Sequence, residues 1–227
     1  MRVGVLGTGA VGQAIAGKLS ELGHEVVVGT RDPDQTLGRQ EPDVFGNPPF
    51  GAWLAEHPAV RLAGLADAAA HGEVVVNATA GGAALEALRL AGEANLDGKV
   101  LVDVANPLDF SQGMPPSLSV SNTDCLGECI QREFPTARVV KTLNTVTASV
   151  MVNPGLVGGG DHTVFVSGND PEAKALVTDL LTDGFGWRDV IDLGDITSAR
   201  GAEMQMALWL RLMGRLGTPM FNFKVVR

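Results

Sequence analysis

The sequence predicts an α/β fold: a doubly wound, mostly parallel sheet with a small helical and stranded extension at the carboxyl end. Three observations carry this. Short β-branched runs such as "VGVL", "VVVG", "VVVN" and "VLVDV" alternate with helical stripes over most of the 227 residues. That alternation is the signature of parallel strands joined by crossover helices. A glycine-rich turn joins the first run to the first stripe, and after residue 195 only one long amphipathic stretch and a tail remain.

Each element has a local reason. Residues 3–6 form a short apolar run closed by Gly7, as a buried strand does. Apolar side chains at 11, 15, 19 and 22 then make a helical stripe, with Gly23 as its stop. Residues 25–29 read as the second strand. The segment 32–49 holds four prolines and no clear period, so it reads as loop. Residues 50–57 read as a helix ended by Pro58, and 60–63 as a strand. The β-branched run 73–79 stops at "AGG"; 82–92 is helical; "KVLVDVA" at 99–105 is a strand ended by Asn106-Pro107. The Pro/Ser/Gly-rich 109–122 reads as loop, 123–134 as a helix stopped by Pro135, and 137–142 as a strand. Beyond "NPGLVGGGD" come a strand at 162–167, a helix at 171–182 opened by Asp170, a strand at 188–192 and a long helix at 196–216.

Composition narrows the function classes. A net charge of -9 disfavours nucleic acid and anionic membrane as partners. No apolar run reaches the length of a membrane helix, and Met1-Arg2 leads straight into the first strand without a signal-peptide pattern. With only Cys125 and Cys129, read as reduced thiols, the expected location is the cytoplasm. The chain contains no tyrosine, which removes any mechanism with a Tyr general acid. His162 opens a strand without a partner set and reads as structural. Gly158-Gly159-Gly160 lacks the Lys-[Ser/Thr] of a P-loop and reads as a connection. No catalytic side chain and no metal-ligand set emerges.

Gly7-Thr8-Gly9-Ala10-Val11-Gly12 is G-x-G-x-x-G after a strand and before a helix, the context that gives the motif its force. The first glycine allows the tight turn, the second lets the backbone approach a pyrophosphate, and the third lets helix and strand pack closely. The helix start offers unpaired N–H groups to the phosphates. This is the Rossmann-like arrangement, in which an acid about 20 residues on accepts from the ribose hydroxyls of NAD. Here the second strand ends instead in Gly29-Thr30-Arg31. A hydroxyl followed by a guanidinium fork suits a 2′-phosphate, so NADP is the expected dinucleotide. Asp32 remains able to face the ribose, and Arg39 is a weaker helper. The strand ends at residues 77–82, 105–108 and 143–145 fall at the same edge and can line one crevice. Asn77 and Asn106 read equally well as turn residues.

With these turns in hand, the chain resembles the coenzyme F420-dependent NADP reductase family over nearly its whole length. The stretches that carry it are "RVGVLGTGAVGQAIAGKL", "GHEVVVGTRDP", "VVVNAT", "LVDVANPL", "VVKTLNTV" and "FVSGNDPEAKALVTDLL". The resemblance implies that Gly7, Thr8, Gly9, Ala10, Val11, Gly12, Thr30 and Arg31 bind NADP. It places the nicotinamide beside Ala78, Thr79, Ala105, Asn106 and Pro107. It places the deazaflavin coenzyme F420 against it, near Asn144, with Met206 and the tail at Met220 as further neighbours. The chain departs from the family in having Asp32-Pro33, not further basic residues, after the arginine. Its loop 37–50 is also unusually rich in Pro and Gly.

The expected function is therefore hydride transfer between NADP(H) and F420, in which the protein positions two rings and the cofactors supply the chemistry. Two other readings stay open on the residues: an NADPH-dependent reductase of another small acceptor (carbonyl, imine, flavin or metal chelate), and a non-catalytic NADP-binding sensor. Residues 1–145 are expected to form the NADP-binding domain. Residues 146–227 are expected to close the cleft and to form a homodimer interface. The apolar stripe Met204, Leu208, Leu212 and Leu216 is expected to be covered, inside the fold or by a second subunit.

Overall fold

Val3, Val5 and Leu6 are buried on both faces of one strand, as befits the middle of a sheet covered on both sides. That strand is β1 (Arg2–Leu6) of a computed structural model that describes residues 1–42 and 46–227. The middle of the Pro/Gly-rich loop 37–50, residues 43–45, thus lies outside the described residues. After β1 come α1 (Ala10–Glu21), β2 (Glu25–Thr30), α2 (Pro33–Gly38), α3 (Phe50–Glu56), β3 (Arg61–Gly64), α4 (Leu65–His71) and β4 (Val74–Asn77). The chain continues through α5 (Ala84–Ala91), α6 (Glu93–Leu96), β5 (Val100–Asp103), a small hairpin of β6 (Leu108–Asp109) and β7 (Ser117–Leu118), α7 (Leu126–Glu133) and β8 (Arg138–Thr142). It ends with α8 (Ala148–Val152), β9 (Thr163–Gly168), α9 (Pro171–Asp179), β10 (Asp189–Asp192) and α10 (Ala199–Leu216).

Eight strands make one sheet in the order β10-β9-β8-β5-β4-β1-β2-β3. From β3 to β8 every pairing is parallel. This is the doubly wound Rossmann order, and its crevice lies between β1 and β4, where the strand order reverses. The expected fold class is borne out. The extension adds a feature of its own: β9 pairs antiparallel to β8, and β10 runs parallel to β9.

Alternate side chains feed two cores. Val3, Val5, Val26, Val28, Val74 and Val76 pack under α1, α8 and α9. Leu6, Val27, Val75, Leu101 and Val139 pack under α4, α5 and α7. On this second face the apolar pattern stops at the carboxyl edge. Register pairs Leu6 with Asn77, Asn77 with Asp103 and Asp103 with Lys141, so three polar side chains stand in one row and on one face.

Several local readings change. The segment read as loop after the second strand contains α2, opened by Asp32, whose Oδ1 accepts from Gln35 N–H at 2.9 Å; Pro33 then occupies the first helical position, where its missing N–H costs nothing. The alanine-rich α4 has no counterpart in the sequence reading. The loop at 109–122 carries the β6–β7 hairpin. The α10 stripe is not covered by its own chain: Met204, Leu208 and Leu216 are 39%, 54% and 56% exposed. The opposite face is buried, and Met206, Trp209 and Leu210 form a third core with Leu108, Leu118, Phe221 and Phe223.

Candidate functional site

The site is assembled at the carboxyl ends of β1, β2, β4, β5 and β8. Gly7 leaves β1 with φ +119° and its backbone lies against the next turn: an added Cβ would come within 2.5 Å of Ala78 O. An added Cβ on Gly12 would lie 2.0 Å from Gly7 O, so glycine is what lets α1 dock on the turn. At Gly9 the opposite holds, since a Cβ there would meet no protein atom within 4 Å. That position faces open space.

The start of α1 is bare. Its first turn has no side-chain cap and no acidic residue, whereas α9 is capped by Asp170 Oδ1 and α7 by the Cys125 sulfur. Uncapped N–H groups at a helix start, with no acidic residue in the same turn, are a fit for phosphate.

A cavity of about 330 Å³ runs from this turn to the end of β2. Gly7, Thr8, Gly9, Thr30, Arg31, Ala78 and Thr79, all expected at the site, lie on its wall. Ala10, Val11 and Gly12 do not; they belong to the first turn of α1, and Gly12 is buried beneath it. The wall also carries Asp32, Gln35, Thr36 and Arg39. A second hollow of about 420 Å³ adjoins it and shares Thr8, Gly9, Thr36 and Arg39.

Arg31 and Arg39 are exposed and make no hydrogen bond or ion pair among the described residues. Two guanidinium groups on one cavity wall, both unneutralised, suit a dianionic group. The Thr30 and Thr36 hydroxyls lie 2.9 Å apart, and Thr36 Oγ1 donates to Asp32 O at 2.8 Å. Asp32 itself caps α2, so its carboxylate has a structural partner in the chain.

The remaining expected residues lie beside this cavity, not on it. The turn after β4 packs on the turn after β5 so tightly that a Cβ on Gly81 would sit 1.9 Å from Asn106 O. Ala105 and Pro107 are buried. Asn144 follows Leu143, a non-glycine residue with φ +59°, and its amide joins Asn106 to Ala202 O of α10.

Below these turns runs a buried polar chain that the sequence reading left as separate residues. Lys141 Nζ has three oxygens for its three protons: Asp103 Oδ2 at 2.8 Å, Glu203 Oε1 at 2.8 Å and Ala105 O at 2.5 Å. All three charged side chains are at most 1% exposed. Burial alone would push the Lys141 ammonium down, but the carboxylates of Asp103 and Glu203 outweigh it and hold its pKa above the ordinary lysine value. The second negative charge is met by the start of α7, where Glu203 accepts from the N–H groups of Leu126 at 2.8 Å and Gly127 at 3.0 Å. Asp103 Oδ1 accepts from Asn77 Nδ2 at 2.8 Å and from Ala105 N–H at 3.2 Å. Only the polar residues closing two apolar strands hinted at this in the sequence.

The other titratable candidates lie elsewhere. His162 is buried against Trp187, with Nε2 2.9 Å from Pro154 O and Nδ1 2.7 Å from Asn222 Nδ2. All of these contacts lie within the fold, away from the cavity at the ends of β1 and β2. Cys125 and Cys129 are free thiols, and burial pushes Cys125 up to about 12. Among the described residues no helix is long and apolar enough to cross a membrane.

Comparison with known proteins follows the same lines. A family model described as NADP oxidoreductase, coenzyme F420-dependent, matches residues 2–107. The chain is 62% identical to a provisionally named F420-dependent NADP reductase from Arthrobacter sp. FB24, whose crystal structure superposes with a TM-score of 0.96 over 100% of both chains. It is 27% identical over 220 residues to the F420-dependent NADP reductase of Methanothermobacter marburgensis, covering 93% of this chain and 92% of that protein. It is 28% identical over 227 residues to the metalloreductase STEAP3 of Rattus norvegicus, covering 93% of this chain but spanning only 37% of that longer protein.

Proposed function

We propose a function from one premise: the chain belongs to the coenzyme F420-dependent NADP oxidoreductase family. It is an oxidoreductase that moves a hydride between NADP(H) and F420. The observation that carries the NADP half is the cavity wall, where the Gly7-Thr8-Gly9 turn leading into the uncapped α1 and the unpaired Arg31 line one space of about 330 Å³. The acceptor half rests on the family.

In this reading the N–H groups at the start of α1 hold the pyrophosphate, and Gly9 keeps the approach open. Thr30 and Arg31 hold the 2′-phosphate, with Arg39 beside them. Ala78, Thr79, Ala105, Asn106 and Pro107 shape the nicotinamide end, and Asn144 fixes the neighbouring turn against α10. When bound, the nicotinamide and the deazaflavin supply the hydride donor and acceptor. The chain contributes orientation and exclusion of water, which needs no side-chain acid or base at the reacting carbons. Residues 146–227 close the cleft, and the exposed apolar stripe of α10 forms the interface of a cytoplasmic homodimer.

The test is direct. NADPH labelled with deuterium at the reacting nicotinamide carbon is mixed with protein and oxidised F420, and the visible band of the deazaflavin is followed. The expected result is bleaching of that band, with the label recovered in the reduced deazaflavin and none lost to water. Oxidation of NADPH only when a carbonyl or imine substrate is added would overturn the reading in favour of another reductase.

A further inference from the structure

We propose that Lys141, Asp103 and Asn77 are positioning residues that fix the Thr79 hydroxyl as a hydrogen-bond acceptor toward the cleft, so that the wall at this point selects a ligand group that donates. The inference rests on the NADP reading above and adds to it the polarity of one contact.

The polarity follows step by step from groups that can act in only one way. Lys141 has only donors, and Asp103 beside it, as a carboxylate, has only acceptors. The group of Asn77 that faces Asp103 Oδ1 at 2.8 Å must therefore be the NH₂. That turns the Asn77 carbonyl oxygen toward Thr79. There it accepts from the Thr79 hydroxyl at 2.6 Å and lies 3.4 Å from the Thr79 N–H. A carbonyl oxygen cannot donate, so the single hydroxyl proton of Thr79 is committed to it. What Thr79 shows to the cavity it lines is lone pairs.

An ordinary threonine hydroxyl rotates to suit its ligand; this one is held from below by a chain that ends in a buried ion pair. A dinucleotide carries two kinds of donor at its nicotinamide half, the ribose hydroxyls and the carboxamide NH₂. Either matches the site, whereas a group that only accepts would face lone pairs with lone pairs.

The experiment measures equilibrium dissociation constants by tryptophan fluorescence, with no turnover. The ligands are NADP, its 3-acetylpyridine analogue, in which a methyl replaces the carboxamide NH₂, and analogues lacking one nicotinamide-ribose hydroxyl. The proteins are wild type, Thr79→Ser, Thr79→Val and Asn77→Leu, with circular dichroism confirming the fold of each. Wild type and Thr79→Ser are expected to prefer NADP by about tenfold over one class of analogue, roughly one hydrogen bond, and the class identifies the donor. In Thr79→Val the preference is expected to vanish. In Asn77→Leu it is expected to shrink, because the freed hydroxyl can turn and donate. Equal weakening toward all ligands in Asn77→Leu, with the ratio kept, would overturn the proposal, as would a wild type that discriminates in neither arm. Should Asn77→Leu not fold, a preference kept in Thr79→Val overturns it equally. A wild type that binds no NADP at all would instead overturn the functional reading beneath it.

Discussion

Asn106 and Asn144, 38 residues apart, hold each other: Asn144 Nδ2 donates to Asn106 Oδ1 at 2.9 Å, and Asn106 Nδ2 donates to Asn144 O at 2.7 Å. Asn144 Nδ2 also donates to Ala202 O at 3.1 Å, so one amide ties the ends of β5 and β8 to α10. Truncation by Asn144→Ala leaves the Asn106 carboxamide and Ala202 O without this partner, at a cost of about 1–3 kcal/mol for a buried unpaired group. Urea unfolding should show that loss. Turnover with F420 should fall more than NADPH affinity does, and equal falls would mark the pair as structural only.

Arg31→Ala should weaken NADP binding by about ten- to a hundredfold, the worth of a charge-assisted hydrogen bond. NAD, which lacks the 2′-phosphate, should bind as before. Parallel titrations of the two dinucleotides decide it, and losing both equally would show that the side chain supports the turn and not the phosphate.

Two glycines of one motif should behave in opposite ways. Gly12→Ala places a Cβ 2.0 Å from Gly7 O, so α1 must lift off the sheet and the thermal midpoint should drop sharply. Gly9→Ala meets no protein atom within 4 Å and should fold normally, while its methyl stands where the pyrophosphate must approach. Thermal melts with and without NADP separate the two: the second variant should keep its melting point and lose the stabilisation by ligand.

Leu208→Glu puts a charge in the middle of the exposed α10 face, beside Met204 and, farther along, Leu216. If a second copy covers this face, light scattering should give a dimer for the wild type and a monomer for the variant, with secondary structure unchanged. A wild-type monomer at micromolar concentration would count against the interface.

Acid should act through Asp124. The Arg132 guanidinium, at 2.7 and 2.9 Å, holds its carboxyl near about 2. A carboxyl depressed in the fold contributes stability that is complete above its unfolded value of about 3.9 and is lost as pH falls toward the folded value. Asp124→Asn should therefore flatten the stability curve between about pH 4 and pH 2 and leave its shape above pH 5 unchanged. Urea midpoints along that range provide the check.

Much of the fold was legible because it is written locally. The β-branched runs and the Gly7–Gly12 turn each state their structure within a few residues, and strands alternating with helices imply a doubly wound, mostly parallel sheet. Even α2 was within reach, since Asp32-Pro33 is a helix start that the three further prolines of the segment obscured. The reversal of β9 was not legible: nothing in "TVFVSG" distinguishes a parallel from an antiparallel neighbour. Nor was the ion cluster. Asp103 and Lys141 each sit at the end of an apolar run, where a strand commonly meets water, and Glu203 reads as one more polar position on a long helix. Their meeting depends on register across the sheet and on where α10 docks, which no short stretch encodes.

The place of Glu203 has a consequence for how the protein is made. A ribosome delivers the chain from its amino end, and Asp103 and Lys141 emerge well before residue 203. Until then the two can pair one to one, but the Leu126 and Gly127 amides, which the finished protein gives to Glu203 across 77 and 76 residues, have no acceptor from α10. The emerging chain can therefore hold its sheet before it holds its cleft. The turn at Ala105, gripped through Lys141, gains the last partner of that lysine only when α10 arrives, so the support beneath the cleft is completed after the sheet.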